Sequence, residues 1–161
     1  MNTDNARMNT DQGLKGNAHV TQAVIGAAFD VANTLGCGFL EKVYENAMAV
    51  ELRRNDHLVE QQRDMEVWYK GEQVGFYQAD LIVDGSVVVE LKAVAALERA
   101  HRAQCLNYLR ATRMQTGLVI NFGRPRLEIQ RVVSTANPSE MYPCSSVRYP
   151  CSSVFQRFGV G

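Results

Sequence analysis

No stretch of this 161-residue chain approaches the ~20 consecutive apolar residues that cross a bilayer. Neither sign of charge is in excess, because 17 basic residues balance 17 acidic ones. That balance argues against tight non-specific nucleic-acid binding driven by overall charge and leaves room only for a local basic groove. Four cysteines (Cys37, Cys105, Cys144 and Cys151) show no C-x-x-C spacing, so a zinc site would have to gather scattered ligands. His19, His57 and His101 are too dispersed for a metal cluster. The opening Met1-Asn2-Thr3-Asp4-Asn5-Ala6-Arg7 lacks the basic-then-apolar layout of a secretory leader. The expectation is a cytoplasmic protein with no membrane partner and no disulfides.

What the chain does contain is regular from residue 18 to residue 133. Val20, Val24, Ala27, Val31 and Leu35 recur every three to four residues, which predicts an amphipathic helix stopping at Gly36. A second helix is predicted over 39–55, with Leu40, Val43, Ala47 and Val50 inward. Strands are predicted over 58–62, 65–70, 73–83 and 86–93, with turns at Gly71 and Asp84-Gly85. A helix over 97–112 and strands over 117–122 and 127–133 complete the set. Helices, an antiparallel meander, a crossover helix and further strands make an α/β fold with a mixed central sheet flanked by helices. Two short duplications lie outside this region. Met1-Asn2-Thr3-Asp4 recurs from Met8, and Tyr142-Pro143-Cys144-Ser145-Ser146-Val147 recurs from Tyr149. Polar, turn-rich sequence of this kind cannot bury enough to order itself. Residues 1–17 and 134–161 are therefore expected to be flexible tails.

The sharpest signal sits inside an apolar run. Val87, Val88 and Val89 lead directly into Glu90-Leu91-Lys92. Burying charge is costly unless it is paired or metal-bound. Side chains two apart on a strand share a face, so Glu90 and Lys92 point the same way. That geometry suits a divalent cation held by carboxylates, with an ammonium beside the water it activates. An ion pair on an exposed edge is the plainer alternative, and the continuous 87–91 run argues against it by marking a central strand.

Asp80 joins the pair only in one register. A two-residue Asp84-Gly85 loop would set Asp80 opposite Val89, looking away from Glu90. A three-residue loop, with Gly85 in the left-handed conformation, pairs Val83 with Val87 and Asp80 with Glu90. The second register also gathers Leu81, Val83, Val87, Val89 and Leu91 on one face, whereas a slip scatters them. We adopt the three-residue loop.

Further along, Gln104 and Tyr108 stand at i and i+4 on one helix face, with Leu97, Ala100, His101 and Ala111 near it. Arg99, Arg102, Arg110 and Arg113 lie roughly opposite and read as a solvated face. Arg53-Arg54, Lys70, Arg124 and Arg126 are better placed in loops to meet phosphates. Upstream, Gly38-Phe39-Leu40-Glu41-Lys42-Val43-Tyr44 marks the break between two helices, with Glu41 in a first turn where an acid is also favoured by the helix dipole. Tyr44 reads as a packing residue whose hydroxyl supports its surroundings.

Together, Gly38-x-x-Glu41-x-x-Tyr44, Asp80, Glu90-x-Lys92 and Gln104-x-x-x-Tyr108 resemble the GxxExxY group of the PD-(D/E)xK nuclease superfamily. The likeness runs from about residue 19 to 133. Ala32 stands where many members carry His, and Cys37 where many carry Pro; neither belongs to the metal set. The resemblance implies a restriction-endonuclease-like fold and hydrolysis of phosphodiester bonds, most simply in DNA during repair or processing. It implies Mg²⁺ or Mn²⁺ held by Asp80, Glu90, the Leu91 carbonyl and Glu41. Lys92 would act on the attacking water, with Gln104 and Tyr108 supporting it. A catalytically silent nucleic-acid-binding or regulatory protein on the same fold is the alternative, and a homodimer is compatible with either.

Overall fold

The computed structural model describes residues 4–135. Eight elements follow in order: α1 (Asp4–Leu35), α2 (Glu41–Arg54), β1 (Val59–Tyr69), β2 (Glu72–Val83), β3 (Val87–Lys92), α3 (Arg99–Thr112), β4 (Thr116–Asn121) and β5 (Glu128–Val133). The strands form one sheet in sequence order, antiparallel except where β3 runs parallel to β4. A parallel step needs a crossover, and α3 supplies it. The expected α/β fold with a mixed central sheet and flanking helices is therefore the observed one.

Helices cover both faces of the sheet. On one, Val24, Ala28 and Val31 of α1 and Tyr44, Met48 and Leu52 of α2 pack on Leu81, Val83, Val87, Val89, Leu118 and Ile120. On the other, Cys105, Tyr108 and Leu109 of α3 pack on Ile82, Val88 and Val119. Strand β3 has neighbours on both sides and is buried from Val87 through Leu91, which is why its sequence is a continuous apolar run rather than an alternation.

The β2–β3 turn follows the three-residue register: Val83 pairs with Val87, Ile82 with Val88 and Leu81 with Val89. Asp84 and Gly85 both have positive φ, at 50° and 60°. The Ser86 amide donates to the Val83 carbonyl at 3.0 Å. Asp84 thus shares the left-handed geometry expected of Gly85 alone. Its carboxylate is held in place by the Leu58 amide at 2.8 Å and His57 Nδ1 at 2.7 Å, and short Asp side chains tolerate this region better than most.

Three expectations need correction. The segment predicted as strands 58–62 and 65–70 is one continuous strand, β1, with Gln62 at φ 51° just before the expected gap at 63–64. Helix α1 begins at Asp4, inside the segment expected to be a flexible tail. No proline interrupts residues 4–35, and glycines such as Gly13 and Gly16 weaken a helix by about 1 kcal/mol each without ending it. Helix α2 buries Tyr44, Glu45, Met48, Ala49 and Leu52, not the Leu40, Val43, Ala47 and Val50 stripe. Both stripes have helical spacing, and the one carrying Tyr, Met and Leu fills more volume against the sheet. Leu40 is left 80% exposed and Val50 51% exposed. The repeats carrying Cys144 and Cys151, and all of residues 136–161, lie outside the described residues.

Candidate active site

Glu90 and Lys92 close β3 on the face covered by α3. Their side chains meet at 2.8 Å between Lys92 Nζ and Glu90 Oε1. The second Glu90 oxygen, Oε2, is buried with no hydrogen-bond partner. Burial first, and then the Asp80 charge, push the Glu90 carboxyl up to about 7, against the pull of Lys92. For Lys92 burial works against the charged form, but the Glu90 hydrogen bond and charge outweigh it, so its pKa is raised.

Asp80 lies beside them at the point where β2 leaves β3. Leu81–Val89 is the last strand pair of that ladder on this side. Beyond it the Leu91 amide donates to Asp80 Oδ2 at 2.7 Å, side chain replacing main chain. Burial raises the Asp80 pKa; the Leu91 hydrogen bond and Lys92 oppose this, and Glu45 and Glu41 add to it. Strand β2 pairs antiparallel with β1 as a ribbon along this stretch. Ala79 and Ile82, three apart, both pack in the α3-side core, so strict alternation breaks at Asp80. Across the ribbon is Gln62 with its positive φ.

Gln62 links Asp80 to a carboxylate that sequence reasoning missed. Its Nε2 donates to Glu45 Oε2 at 2.6 Å and reaches Asp80 Oδ1 at 3.5 Å. Glu45 is only 3% exposed, and its Oε1 accepts from Lys42 Nζ at 2.8 Å and Gln61 Nε2 at 3.0 Å. One signal was available: Glu45 sits four residues after Glu41, on the same helix face.

Glu41 opens α2 and reaches the end of β3, where its Oε1 accepts from the Ala93 amide at 3.1 Å. Its charge is felt by Asp80, Glu90 and Lys92. The loop before it is fixed by Tyr44, whose hydroxyl donates to the Gly36 carbonyl at 2.9 Å and accepts from the Phe39 amide at 3.2 Å. The Tyr44 ring stacks on Phe122 with centroids 4.5 Å apart. Gly38, at φ 111°, turns the chain into α2 where an L side chain would be strained.

Gln104 and Tyr108 lie on the α3 face above the carboxylates. They bond to each other, Gln104 Nε2 to the Tyr108 hydroxyl at 2.8 Å, rather than to Lys92. Burial raises the Tyr108 hydroxyl pKa to about 12, and its ring meets Tyr77 edge-on at 5.7 Å. His101 caps α3 by accepting from the Glu98 amide at 3.0 Å. Asn121, paired with Lys92 across β3 and β4, is a second residue the sequence reading missed. Its buried carboxamide accepts from the Val94 and Gly123 amides, both at 3.0 Å, and donates to the Val94 carbonyl at 2.9 Å.

The expected metal set is only partly gathered. Among the described residues no three acidic, histidine or cysteine side chains close on one point, because Glu41 and Asp80 each turn an oxygen to a main-chain amide. The donor chemistry nonetheless fits a hard divalent cation. It offers oxygen ligands only, two carboxyl groups of which Asp80 raises the pKa of Glu90, and a buried Glu90 oxygen without a partner. An open cleft of about 560 Å³ adjoins the cluster, lined by Phe39, Leu40, Glu41, Lys42, Ala93 and Gly123.

A five-stranded mixed sheet with an acid-acid-lysine set at the end of its central strand defines a restriction-endonuclease-like α/β protein. The family model of the PD-(D/E)XK nuclease superfamily matches residues 18–132. The chain belongs to that superfamily, whose members are nucleases. No curated protein matches the chain. Among solved structures, the crystal structure of SSO0001 is similar at 16% identity and a TM-score of 0.49, over 81% of this chain. The chain spans 65% of that protein's length.

Proposed function

We propose that this protein is a divalent-metal-dependent nuclease of the GxxExxY group that hydrolyses phosphodiester bonds, with DNA as its substrate. The observation that carries the proposal is the convergence of Asp80, Glu90 and Lys92, with one Glu90 oxygen buried and unsatisfied. Asp80, Glu90 and the Leu91 carbonyl would hold Mg²⁺ or Mn²⁺, with Glu41 contacting it directly or through water. When bound, such an ion neutralises the carboxylate pair, lowers the pKa of water and stabilises charge on the transferring phosphate.

The remaining work falls to this chain's own side chains. Lys92, with a raised pKa and an ammonium anchored on Glu90, donates to the attacking water or to the negative charge that develops on phosphate. Glu41, at the cleft wall, orients water from the opposite side. Gln104, held by its bond to the buried Tyr108 hydroxyl, presents its amide from α3 to the strand being cut. The second reading, a silent nucleic-acid-binding protein, is favoured by the engagement of Glu41 and Asp80 with main-chain amides.

Incubation with single-stranded, duplex and branched DNA and with RNA, in Mg²⁺, Mn²⁺ or EDTA, decides between them. Metal-dependent cleavage lost in Lys92→Ala is the expected result. Salt-sensitive binding without cleavage of any polymer would establish the silent reading, and unchanged turnover in Lys92→Ala would refute the role of that lysine.

A further inference from the structure

The cleft beside Glu41 has an apolar lip that the acid-lysine chemistry does not use and that the fold uses only through an edge-on contact of Phe39 with the Tyr44 ring at 6.2 Å. Phe39 is 47% exposed and Leu40 80% exposed, and both line the cleft together with Glu41 and Ala93. Ala93 directly follows Lys92 and holds Glu41 by its amide, so the lip lies within one residue of the proposed chemistry. Leaving an aromatic and an aliphatic side chain in water forgoes their burial free energy. The loop is not loose, because the Tyr44 hydroxyl ties the Phe39 amide and the Gly36 carbonyl, and Tyr44 itself is fully buried against Phe122. The exposed pair is therefore presented on a fixed support. Across the cleft, Gly123 leads into Arg124 and Arg126, both exposed in the β4–β5 loop.

An apolar lip on a cleft that also carries Lys42, with Arg124 and Arg126 exposed in the loop that continues from its Gly123 wall, beside a carboxylate-lysine cluster, matches one strand of nucleic acid. Phosphates suit the arginines and base faces suit the aromatic ring. In an intact duplex those faces are stacked away, and only phosphates and groove edges would meet Phe39 and Leu40. We propose that Phe39, backed by Leu40, stacks on an unpaired base, so that the substrate of this site is a single-stranded or frayed nucleic acid rather than a continuous duplex. The proposal rests on the nuclease reading and specifies its substrate class.

The test is equilibrium binding by fluorescence anisotropy, in EDTA so that nothing is cut, of a labelled single strand and of the blunt duplex of the same sequence. Wild type is expected to prefer the single strand. Phe39→Ala is expected to weaken that binding about tenfold, the size of one lost base–aromatic stack, with duplex binding unchanged. Phe39→Trp restores it. Thermal melts of each variant check the fold, and the single-strand-to-duplex ratio cancels any loss of folded protein. A ratio unchanged in Phe39→Ala, or a wild type that prefers duplex, overturns the proposal while leaving cleavage by the carboxylate-lysine set intact. Concentration-dependent dimerisation abolished by Phe39→Ala would assign the lip to a second copy of this chain and overturn it equally. Failure to cleave any polymer despite a single-strand preference would instead count against the nuclease reading alone.

Discussion

The carboxylate of Asp80 occupies the place of a main-chain carbonyl opposite the amide of Leu91, at 2.7 Å. This one hydrogen bond continues the β2–β3 ladder past its last backbone pair and holds an acid against the residue between Glu90 and Lys92. Asp80 is thus a structural cap and a candidate ligand at once, and the two roles can be separated.

Asp80→Asn keeps an oxygen to accept from the Leu91 amide and removes the charge. Asp80→Ala leaves that amide without its partner. Urea unfolding should show Asp80→Ala destabilised by about 1–3 kcal/mol, with Asp80→Asn near wild type. Both should lose metal-dependent cleavage. Equal stability of the two variants would mean that the Leu91 bond is dispensable.

The Glu90 carboxyl predicts an unusual pH dependence for the metal-free protein. Its folded pKa is raised from 4.5 to about 7. Between those values the folded state binds more protons than the unfolded state, so stability is fully present below about pH 4.5 and is lost as pH rises through 7. Raised Asp80 acts in the same direction. Melting in EDTA should therefore fall from pH 5 to pH 8, by an amount corresponding to roughly 3 kcal/mol at most for Glu90. Glu90→Gln should flatten this slope, and Mg²⁺ or Mn²⁺ should restore stability at pH 8 more than at pH 5. A melting temperature that rises over this range in EDTA would contradict the assigned burial of Glu90.

The fold and the centre of the site were legible because they depend on period and local turn chemistry. Three valines running into Glu90-Leu91-Lys92 mark a buried central strand, and the apolar pattern across Asp84-Gly85 selects a single register. Helix α2 was misread because two apolar stripes have the same spacing, and only packing against the sheet chooses between them. Gln62 and Asn121 were invisible for another reason. Their roles come from what lies across the chain, a buried Glu45 in one case and the main chain of Val94 in the other. Such side-chain-to-backbone ties leave no periodic trace.

Gln62 offers a way to move Asp80 without touching it. Its amide spans Glu45 and Asp80, and its φ of 51° is costly for a residue with a Cβ. Gln62→Gly removes the span and relieves the backbone, while the glycine adds an entropic cost of about 0.5–1 kcal/mol. Net stability is therefore expected to stay within ~1 kcal/mol of wild type. Divalent-ion affinity by calorimetry should nevertheless weaken several-fold, and Gln62→Ala should weaken it similarly. Unaltered affinity in both would confine Gln62 to a structural role.

Gly123 ties the far wall of the cleft to the chemistry. A Cβ there would overlap the main chain of Val94 and the Ala93 carbonyl carbon, and backbone cannot step aside as a flexible side chain can. Relief requires the 93–94 segment to move off β4. That would break the Asn121 carboxamide bonds to Val94 and shift the Ala93 amide that holds Glu41. Gly123→Ala should therefore destabilise by about 1–3 kcal/mol or more and lower cleavage beyond what the loss of folded protein explains. Gly71→Ala is the control: it sits at a positive φ of 86° with open space around its Cβ, at the distal β1–β2 turn, so it should cost stability through backbone strain and leave the activity of the folded fraction unchanged. Activity per folded molecule, from unfolding curves read beside cleavage rates, distinguishes the two. Equal specific activity in Gly123→Ala and wild type would show that the close approach at Val94 does not set the position of Glu41.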